Sequence, residues 1–279
     1  MTADRIVTAS ELPLLFEMTA ARMGQFSIGF VKILGNEDDA VIAGAGTLVT
    51  AGRRFGILTA DHVLAGLPKQ GSVGLVFPDA GPPRLHRQLV QIDATDKVTI
   101  GPASYDSSGP DLGLLILAEH DAANLKARRT LYNLATRRDE MLSRPRSIQD
   151  GGWFLMGMVH EQTEDLPPER GFTRVKGFHG HCGAGVVSAE RTTGEYDYLD
   201  FEAKYGAGYE GPQSFQGYSG GGLWQMVYTE REGRFEIKDA LLSGVAFYES
   251  ALVGDLRTIY CHGRRSIYDH ALAALSRIA

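Results

Sequence analysis

Residues 214–228 read SFQGYSGGGLWQMVY, a hydroxyl at Ser219 set among Gly217, Gly220, Gly221 and Gly222 before the chain turns apolar. What flanks that hydroxyl decides the fold. A serine on a strand-to-helix elbow follows a buried strand and opens a helix. Ser219 instead follows the polar run GPQSFQ and precedes GGLWQMVY, whose aromatic and branched residues suit a strand. The stretch therefore reads as a loop feeding a β-strand. Its glycines let the main chain turn tightly and aim amide N–H groups at a charge developing beside the hydroxyl.

Working outward, the chain from Phe26 to about residue 118 is a series of short runs: FSIGFVKIL, VIAGAGTLVT, RRFGILTADHV, SVGLVF, HRQLVQIDA, KVTIGP and DLGLLIL. Gly, Pro, Asp and Asn bound them, which predicts an all-β unit of six or seven strands. Residues 119–150 carry few β-branched residues and many helix formers, and predict a helical connector. Strands resume over 151–263 with WFLMGMV, FTRVKGF, AGVVSAE, YDYLDFEA, GGLWQMVYT, RFEIKDALLSGVAFYE and RTIYCHG. At the N-terminus (1–25) Ser10 is placed to cap a helix to about Met23. At the C-terminus (264–279) Ile267, Ala271, Leu272 and Leu275 mark one helical face.

With 43% hydrophobic and 22% charged residues among 279, the chain has the composition of a globular protein large enough for a substantial core. A formal charge of −6 excludes a basic footprint for nucleic acid. The first residues lack a basic segment followed by an apolar one, and no run of roughly 18 apolar residues follows, so neither export nor a membrane partner is expected. Two cysteines, Cys182 and Cys261, agree with a cytoplasmic location.

A serine becomes nucleophilic when an imidazole held by a carboxylate removes its proton. His62 lies in GILTADHVL, where an apolar strand ends at Thr59 and Ala60 and a short turn presents the histidine, and Asp111 opens another run in SGPDLGLLIL. The segments GTLVTAGRRFGILTADHV, DLGLLIL and GYSGGGLW, in that order, resemble the three signature segments of chymotrypsin-like (trypsin-like) serine peptidases. The resemblance covers residues 44–118 and 211–250. It implies two packed six-stranded β-barrels, with His62 and Asp111 on the first and Ser219 on the second. By position it makes Ser219 the nucleophile, His62 the general base and acid, and Asp111 the residue that orients the imidazole. The Gly217 and Ser219 N–H groups would form the oxyanion hole, and no cofactor is required. The base of the specificity pocket would lie near Gln213, with Phe247, Tyr248 and Glu249 along one wall.

Tyr218 departs from the pattern, because secreted relatives carry an Asp there that receives a newly cleaved N-terminus. Bacterial and intracellular members commonly lack it and are controlled by loops, oligomers or an activating or inhibiting protein partner. The loop 204–216, rich in Gly and Tyr, is expected to order the oxyanion hole when substrate or such a partner binds. An uncharged Gln213 removes the main reason to expect cleavage after Lys or Arg, although Glu249 would restore some of it.

The segments FHGHC and YCHG bring together zinc-compatible residue types, His179, His181, Cys182, Cys261 and His262, without zinc-site spacing. Strand histidines near the cleft are the expectation, and no metal. The sequence thus predicts a serine endopeptidase acting on a protein or peptide substrate, of narrow specificity or conditional activity. Two alternatives stand beside it: a latent peptidase fold that only binds, and an α/β-hydrolase esterase using Ser219 with Asp239 or Asp255 and His262.

Overall fold

Two-residue turns with left-handed backbone punctuate the chain, at Gly52, at Gly194 and at the pair Glu232 and Gly233 (φ 52° and 76°). Each joins antiparallel neighbours whose ladders close at Ala51 with Arg54, Thr193 with Tyr196, and Arg231 with Arg234. Left-handed turns match the twist of the strands they connect, so these local choices generate hairpins. The computed structural model describes residues 11–33, 40–78, 87–166, 175–206 and 211–277.

The first half holds β1 (Ser27–Ile33), β2 (Ala40–Ala51), β3 (Arg54–Thr59), β4 (Ser72–Val76), β5 (Arg87–Gln91), β6 (Asp96–Gly101) and β7 (Leu112–Ile116), with β8 (Tyr132–Asn133) added beside β2. These form an eight-stranded sheet along the path β5-β4-β1-β2-β3-β7-β6, antiparallel except where β8 joins β2. The second half holds β9 (Gly152–Met158), β10 (Glu164–Leu166), β11 (Val175–Gly177), β12 (Gly180–Thr193), β13 (Tyr196–Lys204), β14 (Gly222–Arg231), β15 (Arg234–Glu249) and β16 (Leu256–His262). Six of them close a barrel in the order β12-β13-β16-β15-β14-β9, and β10 pairs with β11 outside it. The protein is thus mainly antiparallel β. The expected six-stranded count holds for the second unit, whereas the first is wider and its path runs between two edges, β5 and β6.

Among the described residues the α-helices are α1 (Leu12–Gly24), α2 (Asp61–Gly66), α3 (Glu119–Lys126), α4 (Leu134–Ser143) and α5 (Leu272–Arg277), the last preceded by a π-helical turn over Ser266–Ala271. Ser10, the expected cap of α1, lies outside the described residues, and Pro13 occupies the first turn. Among the described residues no helix is long and apolar enough to cross a membrane.

The two halves share their cores. One cluster joins Leu58, Leu112 and Leu114 of the sheet to Trp224, Leu242 and Val245 of the barrel and to Ile267 and Leu275 of the C-terminal segment. A second draws Tyr198 and Phe247 of the barrel against Ile28, Leu48 and Leu115. Each such side chain, removed from water, contributes about 1.5–3 kcal/mol, which fixes the relative placement of sheet and barrel. The terminal segment is further anchored by Asp197, whose buried carboxylate accepts the N–H groups of Arg265 and Ser266 at 2.9 and 2.7 Å.

Candidate active site

Asp111 sits immediately before β7 and is 1% exposed. The turn ahead of it is shaped by Gly109, whose left-handed φ of 63° and missing Cβ let the chain pass against the Tyr198 ring. One Asp111 oxygen accepts the His62 backbone N–H at 2.9 Å, and the other lies 2.5 Å from His62 Nδ1. His62 is carried on the first turn of α2, whose start is tied down by Asp61, the acceptor of Thr99 Oγ1–H (2.7 Å) and Ala103 N–H (3.2 Å). The side chain of His62 is 26% exposed against 2% for Asp111. The carboxylate is therefore shielded from water while the far edge of the imidazole remains reachable.

Ser219 comes from the barrel half, in the loop before β14, and is clamped by the sheet half. Its carbonyl accepts the Ala45 N–H at 2.7 Å, and the Ala45 carbonyl accepts Thr59 Oγ1–H at 2.7 Å. A Cβ on Gly220 (φ 86°) would collide with both Thr59 Oγ1 and the Ala45 carbonyl, so this glycine is a condition of the close approach. His62 and Ser219 line a common cavity of about 400 Å³, together with Ile42, His160, Phe247 and Ile259.

The Gln216–Gly217 and Tyr218–Ser219 peptides are pinned through their carbonyls. The Gln216 carbonyl accepts the His160 N–H at 3.1 Å, and the Tyr218 carbonyl accepts the Gly221 N–H at 2.6 Å. In a trans peptide C=O and N–H point opposite ways, so the Gly217 and Ser219 N–H groups face away from those contacts. Among the described residues neither donates to a protein acceptor. Gly217 has φ 101°, and a Cβ there would lie 2.5 Å from the Met158 carbonyl oxygen. Residues 207–210 of the loop expected to order on binding substrate or a partner lie outside the described residues, and its end around Tyr218 is held by the hydrogen bonds above.

Two of the strand histidines expected near the cleft, His262 and His181, join this framework, through partners that the sequence does not name. His262, at the end of β16, accepts the Asp111 backbone N–H on Nε2 at 2.9 Å. Burial, with Arg191 nearby, pushes its pKa down to about 3, so it is neutral and able to accept. The rings of Tyr196, Tyr198 and Phe247 enclose it, with centroids 5.0–5.6 Å away. His181, on β12, is hydrogen-bonded through Nδ1 to the Tyr218 hydroxyl, and burial pushes its pKa down to about 4.

The pocket residues divide. Phe247, Tyr248 and Glu249 line the cavity, as does Ser214, whereas Gln213 is exposed and not among its lining residues. Gln213 itself is held at the surface, its N–H on Glu161 (2.9 Å), so the cavity wall nearest to it is formed by Ser214. Glu249 is not a free carboxylate: it accepts Ser214 Oγ–H and Phe215 N–H, both at 3.0 Å, and is ion-paired with Arg257.

The zinc-compatible residues go separate ways. His179 bonds Glu164 at the surface (2.8 Å), and Cys182 and Cys261 are buried free thiols. Burial pushes Cys182 up to about 12 and raises Cys261 as well. Among the described residues no group of three or more His, Cys, Asp or Glu is placed to hold a metal. The elbow geometry is likewise absent, since Ser219 leads into β14 and not a helix. Asp239 is paired with Arg137 at 2.7 Å, and Asp255 lies 3.6 Å from Lys204.

An imidazole held by a buried carboxylate thus shares a cavity with a serine whose loop has, among the described residues, two unpaired N–H groups, the kinds of group that acyl transfer requires. No family model matches the chain, and comparison with the curated proteins finds no match.

Proposed function

We propose that the protein is a serine endopeptidase of chymotrypsin-like, two-barrel type, with Ser219 as nucleophile, His62 as general base and acid, and Asp111 as its orienting carboxylate. The observation that carries this reading is that His62, paired with buried Asp111 in one half of the chain, lines the same cavity as Ser219 from the other. Ser219 attacks the scissile carbonyl and its proton passes to His62. The oxyanion is received by the N–H groups of Gly217 and Ser219. His62 then protonates the leaving amine, and water releases the acyl-enzyme by the same steps in reverse. The chemistry calls for no cofactor. Two buried reduced thiols suit a reducing compartment such as the cytoplasm.

The test is intact-mass spectrometry after exposure to a serine-directed fluorophosphonate. A single adduct on the wild type, missing from Ser219→Ala, is the expected result. A folded wild type that takes no adduct would overturn the peptidase reading and leave a fold that binds without turnover.

A further inference from the structure

Tyr218 precedes the candidate nucleophile and borders the same cavity, yet it is 1% exposed and packs in the barrel cluster with Leu155, Phe215 and Leu223. Three independent features receive it. Its ring packs on Phe215 with centroids 4.6 Å apart. It lies over Gly157 of β9, where a Cβ would come within 2.5 Å of the ring and 3.0 Å of the Tyr218 Cα. Its hydroxyl meets His181, the residue directly across the ladder from Gly157. A glycine inside a strand marks the close approach of another group, and here that group is the phenol.

The main chain of Tyr218 is equally committed. Its N–H donates to the Phe215 carbonyl at 2.8 Å and its carbonyl accepts the Gly221 N–H at 2.6 Å. The direction of the Ser219 N–H is set by the tilt of the peptide that Tyr218 shares with it. A side chain locked at its far end resists rotation of that peptide.

We propose that Tyr218 and His181 are positioning residues: the phenol, seated over Gly157 and hydrogen-bonded to His181, holds the Tyr218–Ser219 peptide in the orientation that presents the Ser219 N–H to the site. The inference rests on Ser219 being the nucleophile. The site is then built ready in the folded chain, without a charged group arriving from elsewhere to order it. Neutral His181 provides the acceptor that an uncharged phenol needs in an apolar barrel, where a charged partner would be costly.

The experiment compares Tyr218→Phe, His181→Leu, His181→Gln and the Tyr218→Phe/His181→Leu double variant. Fluorophosphonate labelling is resolved into reagent affinity and maximal rate, and amide exchange over 216–222 is followed by mass spectrometry. Tyr218→Phe and His181→Leu should each lower the maximal rate ~10–100-fold, a partial loss of one oxyanion donor, with reagent affinity within about threefold. The double variant should be no slower than either single one, because both remove the same contact. His181→Gln, which keeps an acceptor, should recover most of the loss. Exchange over 216–222 should rise in the two disabling variants. Unchanged rate and exchange in Tyr218→Phe would overturn the proposal. If the wild type takes no label while exchange still rises in the variants, the nucleophile assignment fails and the lock stands.

Discussion

The Asp111 N–H donates to His262 Nε2 at 2.9 Å, so the acid that holds His62 is itself held by a histidine 151 residues away, on the opposite half of the fold. The bond crosses between sheet and barrel. It links the placement of the candidate base to the packing that joins the two halves.

His262→Leu leaves that N–H buried without an acceptor, which costs about 1–3 kcal/mol. We expect the unfolding midpoint in urea to fall accordingly and fluorophosphonate labelling of Ser219 to slow by ~10-fold or more. A variant of lower stability that labels at the wild-type rate would show that His262 supports the fold and not the alignment of Asp111.

Acid should destabilise the protein before its carboxylates titrate. His181 and His262 have folded pKa values lowered to about 4 and about 3, against 6.5 for an exposed histidine. Between those values the unfolded chain binds more protons, so stability is fully present above pH 6.5 and is lost as pH falls. Each histidine contributes a slope of up to about 1.4 kcal/mol per pH unit. Urea unfolding at pH 7.0, 6.0 and 5.0 should show a steady decline, and a flat profile would mean that these imidazoles are not buried in their neutral form.

Glu249 lines the cavity but is neutralised by Arg257, with side chains 29% and 13% exposed. Cleavage after Lys or Arg should therefore be poor. Arg257→Gln releases the carboxylate, and cleavage after basic residues in a peptide library should rise about tenfold through a nearby opposite charge. An unchanged profile would place the substrate side chain away from Glu249.

Gly220→Ala forces a Cβ onto Thr59 Oγ1 and the Ala45 carbonyl at a φ of 86°. The expected cost is about 2–4 kcal/mol, with labelling abolished because the serine loop separates from β2. A folded alanine variant with normal labelling would show that this loop is more adaptable than its contacts imply.

Much of this site was legible before folding because it rests on local chemistry. A histidine just after an apolar run, an acid after Gly-Pro and a serine among glycines are each short-range signals; the structure carries Asp111 immediately before β7, and His62 on the first turn of α2 where the sequence predicts a short turn. What the chain order does not carry depends on orientation or on distant partners. Counting along the chain points to the neighbourhood of Gln213, but only the folded chain shows Gln213 exposed and Ser214 lining the cavity. Glu249 read as a charge, and only its cross-strand neighbourhood with Arg257 cancels it.

By itself, the sequence determined the strand-rich halves, the helical segments between and after them, and the candidates His62 and Ser219 that line the cavity with Asp111 behind the imidazole, because turn propensity and period-two burial act within a few residues. Tertiary structure alone decided that the second half closes as a barrel while the first runs from β5 to β6, and that His262 and His181 brace Asp111 and Tyr218. Those outcomes depend on hydrogen bonds between segments far apart in the chain, formed only when burial removes water from both partners, and no local pattern encodes them.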